Sequence, residues 1–343
     1  MYNPIVARIV FLLLSFYGFV AYSQSENWKL YNVENSDLPD NGVYSISIDP
    51  SGAKWLGSKQ SLVKFDKKKF QVYNKKVKKE VQYTIVRSIT IDPDGVLWTG
   101  TWGDGMAQLT LLPIGDGTFS PSWISYRENN SAITHNTVKS IVIDQTGNKW
   151  IGTEEGLVLM ENLEWGFGGL KWKTFYTDNS GLSHNSVYAV CVDKFNNKWF
   201  GTFGGGISKF DGQNWTIHDV RNSGLPDNYI TSMIIDKKQK IWSATYNGGL
   251  VSYNGEEWKT YTTTNSGLPD NVVSCMAVDG KNNLWVGTGN SGMAKFDGSN
   301  WVVFDVMDAG FTYNINALSV DSKGNVWIGT NKGLVLFNEK GVK

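Results

Sequence analysis

The chain has 343 residues, and its 32 Lys and Arg balance its 32 Asp and Glu, so its formal net charge is zero. This balance leaves no electrostatic footprint for nucleic acid or for an anionic membrane surface, and neither is expected as a partner. The sequence contains no nucleophile motif, Gly-rich phosphate loop or paired-cysteine zinc site, so we expect no cofactor and no established catalytic residue.

The first 23 residues have the pattern of a cleaved signal peptide. Arg8 precedes a short apolar stretch at 9–22, and Ala21-Tyr22-Ser23 fits the small-x-small pattern that signal peptidase reads. The stretch is too short to favour a membrane span, and no other long apolar stretch follows. We therefore expect a periplasmic or secreted protein without membrane insertion of the mature chain, in which residues 24–343 form one domain.

An aspartate followed six residues later by a tryptophan occurs seven times along the rest of the chain. Successive tryptophans of this set are 42 to 52 residues apart. A period of this size with several short strand patterns per unit is typical of a β-propeller blade. The pairs are Asp49/Trp55, Asp92/Trp98, Asp144/Trp150, Asp193/Trp199, Asp236/Trp242, Asp279/Trp285 and Asp321/Trp327.

Each unit predicts four strands, A to D. In one unit, residues 271–279 alternate as strand A, and Asp279 opens a tight turn whose third following residue is Asn282; the other units place Gly, Asn or Gln there. Strand B begins at the tryptophan, strand C reads Gly-Leu-x-x-Phe, and strand D reads Trp-x-x-Tyr. Cys191 and Cys275 lie in strand patterns of non-neighbouring units, so we expect two free, buried thiols and no disulfide.

The order of the strands predicts how the ring closes. The mature chain begins with a lone strand D at 28–31, and the last unit supplies strands A, B and C and ends near Phe337. The N-terminal strand therefore completes the last blade. The predicted fold is an all-β, seven-bladed propeller with four antiparallel strands per blade, in which closure removes the exposed sheet edges.

The repeat resembles that of the two-component regulator propeller family. Leu-Pro-Asp-Asn at 38–41, 225–228 and 268–271 matches the family pattern, and the resemblance covers residues 28–338. In that family such propellers usually form the periplasmic sensor part of bacterial hybrid histidine kinases, and glycans are a frequent signal. These 343 residues hold no kinase, second propeller or immunoglobulin-like module. The resemblance therefore implies the fold and a sensing or binding role, without a signalling activity of its own.

Residues that the repeat does not require are candidates for function. Trp102 follows strand B in its unit, and Phe203 and Tyr246 occupy the same loop position in later units. In a propeller this loop lies on the face where binding sites usually form. The three rings predict a stacking platform for a sugar or another flat ligand, and the alternative is that they pack against neighbouring blades.

Two further positions on the same face vary between units. Arg87 and Lys139, near the start of strand A, predict a site for a carboxylate or sulfate, or else pair with Glu154 or Asp104. His135 and His184 precede strand A. Together with Asp227 they could converge on a metal, and the alternative is that all three serve the backbone of a turn. The metal content therefore stays unknown at this stage.

Two classes of function remain. The first is a monomeric, exported binding or sensing propeller that recognises a glycan, another small molecule or a protein partner through Trp102, Phe203, Tyr246, Arg87, Lys139, His135 and His184. The second is a hydrolase or lyase on the same scaffold, as in the exported seven-bladed streptogramin lyases, which act through a histidine. Only His135 and His184 could serve there, and no surrounding sequence supports that role, so binding is the preferred function.

Overall fold

A computed structural model describes residues 26–74, 84–115, 118–162, 170–304, 306 and 314–342. The predicted signal peptide, residues 1–23, lies outside the described residues. Every named element in the described part of the chain is a β-strand. That part contains no helix long and apolar enough to cross a membrane.

The strands form seven antiparallel, four-stranded sheets, which confirms the predicted fold. The three blades that follow the N-terminal strand β1 (Trp28–Tyr31) have these bounds. Blade 1 is β2 (Val43–Ile48), β3 (Lys54–Ser58), β4 (Ser61–Asp66) and β5 (Lys69–Asn74). Blade 2 is β6 (Val86–Ile91), β7 (Leu97–Thr101), β8 (Met106–Gly115) and β9 (Thr118–Tyr126). Blade 3 is β10 (Val138–Ile143), β11 (Lys149–Thr153), β12 (Gly156–Met160) and β13 (Trp172–Phe175).

The remaining blades repeat this arrangement. Blade 4 is β14 (Val187–Val192), β15 (Lys198–Thr202), β16 (Ile207–Phe210) and β17 (Trp215–His218). Blade 5 is β18 (Ile230–Ile235), β19 (Ile241–Thr245), β20 (Leu250–Tyr253) and β21 (Trp258–Tyr261). Blade 6 is β22 (Val273–Val278), β23 (Leu284–Thr288), β24 (Met293–Phe296) and β25 (Trp301–Phe304). Blade 7 contains β26 (Ile315–Val320), β27 (Val326–Thr330) and β28 (Leu334–Phe337).

The N-terminal strand closes the ring as predicted. Strand β1 pairs antiparallel with β28 and becomes the outermost strand of blade 7, with Trp28 opposite Phe337 and Tyr31 opposite Leu334. The first strand of blade 7, β26, lies against β2 of blade 1, as the first strands of the other neighbouring blades do. The two thiols are free and buried, also as predicted.

The aspartate and tryptophan of each repeat are joined by a hydrogen bond. In all seven units the indole N–H donates to the carboxylate six residues earlier, over 2.9 to 3.3 Å. The other carboxylate oxygen accepts turn N–H groups; Asp279, for example, accepts from Lys281 and Asn283. The third residue after each aspartate has positive φ, even Gln239 at 66°. The six-residue spacing therefore reflects a hairpin that fixes its own tryptophan.

The tryptophans of strand B lie between blades. Trp199 is 4% exposed and shares a core cluster with Ile230 and Val251 of the next blade. Lysines reach back over the preceding blade: Lys54 lies over the Trp327 ring at 4.5 Å, a cation–π contact. The residues that repeat therefore form the contacts between neighbouring blades, and these contacts join the seven sheets into one ring.

Candidate ligand-binding site at the channel mouth

A cavity of about 580 Å³ lies where the first strands of the seven blades meet. Its lining is arranged in layers along these strands. The deepest layer is apolar and includes Ile46, Ile89 and Met276, and the layer above it carries small residues such as Ser45, Ser140 and Ala317. The uppermost layer differs most between blades. It consists of Tyr44, Arg87, Lys139, Tyr188, Thr231, Ser274 and Asn316.

A β-bulge places every residue of this uppermost layer. In blade 1, Val43 pairs with Ser58 and Ser45 pairs with Gly57, so Tyr44 is the extra residue. The same register shift occurs at the same point in all seven blades. A bulge leaves its extra residue outside the regular ladder and redirects that side chain. Each blade thus has one residue at the mouth that takes no part in the β-ladder of its own sheet.

The glycine of strand B makes room for this arrangement. A Cβ atom added at Gly57 would lie 2.4 Å from the carbonyl oxygen of Val86 in the next blade. At Gly152 it would lie 2.7 Å from the carbonyl oxygen of Val187. The bulged first strand of each following blade therefore approaches the glycine too closely for a larger residue, except in blade 5, where Ala244 occupies the position.

On one side of the mouth, small polar side chains tie adjacent blades together. The Thr231 hydroxyl donates to the carbonyl of Val273 over 3.2 Å, and the Ser274 hydroxyl donates to that of Ile315 over 2.7 Å. The Asn316 amide donates to the carbonyl of Val43 over 3.1 Å. Blades 5, 6 and 7 therefore use the bulge residue for the ring itself.

On the other side, four larger bulge residues and Trp102 form an arc in which aromatic rings alternate with cations. We call Tyr44, Arg87, Trp102, Lys139 and Tyr188 the cradle. The guanidinium carbon of Arg87 lies 6.0 Å from the Tyr44 ring and 4.7 Å from the Trp102 ring. The Lys139 ammonium lies 4.4 Å from the Trp102 ring and 4.3 Å from the Tyr188 ring. Trp102 is 46% exposed, so part of its ring surface faces open space.

The two cations of the cradle differ in their partners. Lys139 forms an ion pair of 2.8 Å with Glu154, which also accepts a hydrogen bond from the Ser186 hydroxyl. Burial alone would raise the pKa of the Glu154 carboxyl, but the hydrogen bond and charge of Lys139, with Ser186, lower it overall. The sequence left open whether Glu154 or Asp104 pairs with a cation, and the structure selects Glu154 for Lys139.

Arg87 has no carboxylate within ion-pair distance among the described residues. Arg87 is exposed overall and lines the cavity, while the protein around its guanidinium removes part of that group's contact with water. This surrounding protein lowers the pKa of the guanidinium, and the neighbouring Tyr44 and Tyr188 act in the opposite direction. An arginine stays charged under such a shift, because its ordinary pKa is above 12.

The other two predicted platform residues lie farther out. Phe203 stacks on Tyr188 with ring centroids 4.8 Å apart, and Tyr246 meets Phe203 edge-on at 6.0 Å. Neither Phe203 nor Tyr246 lines the cavity. Phe203 therefore packs between Tyr188 of its own blade and Tyr246 of the next blade, and it supports a ring of the cradle. Tyr246 is 51% exposed and forms the outer end of this aromatic series.

The backbone holds these loop residues in place. The N–H group of Trp102 donates to the carbonyl of Ile85 over 3.0 Å, and Trp102 also bridges to Thr137 of blade 3. Phe203 repeats both contacts, with Ser186 and with Tyr229 of blade 5. The loop positions are thus extensions of the sheets, which gives the exposed rings a defined position before any ligand arrives.

The two histidines lie in turns and do not line the cavity. Nδ1 of His135 accepts the N–H of Thr137 over 3.0 Å, and Nδ1 of His184 accepts that of Ser186 over 3.1 Å. A carboxylate oxygen makes the same contact at the equivalent aspartates, Asp40, Asp227 and Asp270. In the described part of the chain, no three His, Cys, Asp or Glu side chains converge as a metal site. These contacts match the turn role that the sequence offered as the alternative.

Replacing His184 by Asp should therefore leave stability nearly unchanged. An aspartate keeps an acceptor for the Ser186 N–H, so we expect the free energy of unfolding to change by less than about 0.5 kcal/mol. His184→Ala removes the acceptor and should cost about 0.5–1.5 kcal/mol. Urea denaturation of both variants measures this. A zinc-dependent rise in melting temperature in the wild type that His184→Asp abolishes would instead indicate a metal ligand.

Comparison of the sequence with protein families supports the resemblance that the repeat showed. Residues 224–247, 267–290 and 310–332 each match the model described as "Two component regulator propeller". Three segments of the chain, together about a fifth of its residues, therefore match this repeat model. No curated protein matches it by sequence.

Solved structures share the fold of this chain. The extracellular domain of a putative hybrid two-component system from B. thetaiotaomicron matches with a TM-score of 0.75 at 20% identity, over 91% of this chain and 41% of that one. PorZ, a surface component of the type-IX secretion system of Porphyromonas gingivalis, matches at 0.67 and 19%, over 90% and 48%. Virginiamycin B lyase from Staphylococcus aureus matches at 0.66 and 14%, over 90% and 98%.

These comparisons establish a shared fold and no more, because every identity is 20% or lower. The chain spans about two fifths of the first of these structures and about half of the second. The matching repeats lie in blades 5 to 7, where the bulge residues tie blades together. The cradle lies in blades 1 to 4, outside the segments that match the two-component regulator propeller model.

Sequence reasoning found three of the five cradle residues and missed Tyr44 and Tyr188. Both tyrosines occupy the same variable position as Arg87 and Lys139, so position alone was available as a signal. The sequence offered Glu154 only as an alternative partner and gave no indication of a role for Ser186. Their roles depend on contacts between a loop and the start of a strand, and repeat spacing does not define such contacts.

Proposed function

We propose that the chain is an exported binding propeller of the sensing type, and that it recognises a glycan or another small molecule in the cradle. The observation that carries this proposal is the alternation of rings and cations across blades 1 to 4, where four bulge residues face the mouth. Large side chains are not required at this position to hold blades together, since small polar residues form the blade-to-blade hydrogen bonds there in blades 5 to 7.

The size and chemistry of the mouth fit such a ligand. A cavity of about 580 Å³ falls within the usual range for small-molecule sites. Aromatic faces bind the apolar face of a sugar ring or another flat ring, and adjacent charged groups fix its orientation. Trp102 offers the largest such face, and its backbone is already held by neighbouring strands. Binding therefore requires little ordering of the protein, which favours affinity.

Export to the periplasm or the cell exterior is part of the proposal. Its supports are the signal-peptide pattern at residues 1–23 and the occurrence of two-component regulator propeller repeats. The fold shared with an extracellular domain of a putative hybrid two-component system is consistent with this location. A protein partner that reads the ligand-bound state would complete a sensing role.

The geometry supports binding over hydrolysis or lyase chemistry. A lyase of this fold is among the similar structures, and a histidine variant of virginiamycin B lyase is described as catalytically inactive. In this chain, His135 and His184 use Nδ1 to hold the backbone and do not line the cavity. Neither is placed to exchange a proton with a ligand in the cradle.

Trp102→Ala should weaken ligand binding at least tenfold. Loss of a stacking face removes about 0.5–1.5 kcal/mol beyond the buried area, and the lost area adds to that. Tyr246→Ala should have a smaller effect, because Tyr246 contacts the series only through Phe203. A thermal-shift screen of neutral and acidic mono- and oligosaccharides identifies a ligand, and calorimetry then measures its affinity.

Phe195→Ala is a matched control for this test. Phe195 is 73% exposed and lies in the turn between β14 and β15, away from the cradle. Its removal should change neither affinity nor stability. If Trp102→Ala binds the ligand as well as Phe195→Ala does, then the cradle is not the site.

A further inference from the structure

The charges at the mouth do not balance, and this imbalance limits what the site can bind. Among the residues that line the cavity, only Arg87 and Lys139 are charged, and both are cations. Glu154 stands beside the lining and compensates one of them. The described residues therefore leave one positive charge at the mouth without a counter-charge.

Lys139 is the compensated cation. Its side chain is only 7% exposed, and the 2.8 Å ion pair with Glu154 occupies it on one side while the Trp102 and Tyr188 rings cover it on others. A ligand that captured Lys139 would have to separate this pair and leave the Glu154 carboxylate without its strongest partner. Separating a paired, partly buried charge is costly, so Lys139 is better suited to shape the site than to bind an anion.

Arg87 is the uncompensated cation, and its placement suits an anion. Trp102 and Tyr44 lie near its guanidinium, at 4.7 and 6.0 Å from the central carbon. A guanidinium that packs against rings keeps its five N–H donors free for hydrogen bonds. Among the described residues, none of these donors has a hydrogen-bond or ion-pair partner, and Arg87 is an exposed residue of the cavity lining.

On the basis of the binding role proposed above, we propose that the ligand of the cradle carries a single carboxylate that pairs with Arg87, attached to a ring that stacks on Trp102. A carboxylate matches the fork of a guanidinium with two parallel hydrogen bonds. One uncompensated charge accommodates one negative charge, and a dianion would leave one negative charge in excess. Acidic sugars and aromatic acids both have this chemistry.

Pairs of probes that differ only in the carboxylate test the inference on the full chain. The pairs are galacturonate with its methyl ester, and benzoate with benzamide. We expect one acidic member to bind at least ten times more tightly than its neutral counterpart in calorimetry. The pair that responds distinguishes an acidic sugar from an aromatic acid. Affinity for the acidic probe should fall as salt rises, because an exposed charge pair is screened.

Arg87→Gln should remove the preference for the acidic probe, and Arg87→Lys should restore part of it. Lys209→Gln is the control, since Lys209 lies over the Trp199 ring at 5.1 Å but does not line the cavity. Should Arg87→Gln fail to fold, the salt dependence of the wild type decides, because an affinity that salt does not change overturns the inference.

The outcomes separate this inference from the proposed function. If acidic and neutral probes bind equally and Trp102→Ala weakens both, the cradle binds ligands without charge recognition, and the inference is wrong. If Arg87→Gln keeps the full acidic preference, the inference is also wrong. If no probe from either pair binds, the carboxylate assignment fails, whereas a ligand from the wider screen that binds independently of Trp102 refutes the proposed function itself.

Discussion

Deleting residues 24–32 is expected to abolish the single cooperative unfolding transition of the ring. This segment contains β1, which supplies the outermost strand of blade 7. Trp28 is 6% exposed and lies 4.3 Å from the Phe337 ring between centroids. Without β1, that ring and the edge of β28 become exposed, and an unpaired edge is both less stable and prone to association.

The effect should reach beyond blade 7, because that blade contacts blade 6 on one side and blade 1 on the other. Its core cluster includes Trp285 of blade 6, and Trp327 lies in the cluster of blade 1. Calorimetry should therefore record a broad transition at lower temperature. A synthetic peptide of residues 24–32 added in trans should restore the transition, and the same peptide with Trp28→Ala should not. A truncated chain that melts as the intact one does would show that closure depends on other contacts.

Trp199→Ala should cost about 3–5 kcal/mol of the free energy of unfolding, as expected when a large buried ring is removed. The indole packs on His218 of its own blade, 5.8 Å between ring centroids, and on Tyr253 of the next blade at 6.0 Å. Its N–H also donates to Asp193 over 3.2 Å. The substitution thus removes an inter-blade contact and a hairpin bond together.

A second variant separates these two contributions. Trp199→Phe keeps a ring between the blades but loses the bond to Asp193. That carboxylate oxygen still accepts from the Asn197 side-chain amide, so the loss should cost about 0.5–1.5 kcal/mol. Urea denaturation measures both variants, with Phe195→Ala as an exposed aromatic control. A Trp199→Ala midpoint equal to that of the control would contradict the inter-blade role of the ring.

The fold was predictable from the sequence because its determinants are local and repeated. Asp279, Asn282 and Trp285 belong to one hairpin, so their spacing already encodes the turn, the positive φ at Asn282 and the position of the indole. The closure of the ring was also predictable, since the lone strand at 28–31 matches the strand that the last unit lacks.

The site was only partly predictable, because its contacts join residues of different blades. The position of Arg87 in the sequence indicated a variable residue near the start of strand A, but the bulge that turns it towards the mouth has no sequence signature there. Phe203 and Trp102 share a loop position, yet only Trp102 reaches the cavity, because Phe203 stacks on Tyr188 instead. Whether a loop ring reaches the cavity therefore depends on which large side chains lie beside it, in its own blade or in the next.

The pairing of β1 with β28 also has a mechanical consequence. The strands are antiparallel and Trp28 lies opposite Phe337, so a pulling force between these two residues acts at one end of the pair. The backbone hydrogen bonds between the strands then break one after another, and each step requires little force. Under tension, the strand that completes the ring is thus the first to separate, although the same pairing protects the ring against heat and denaturant.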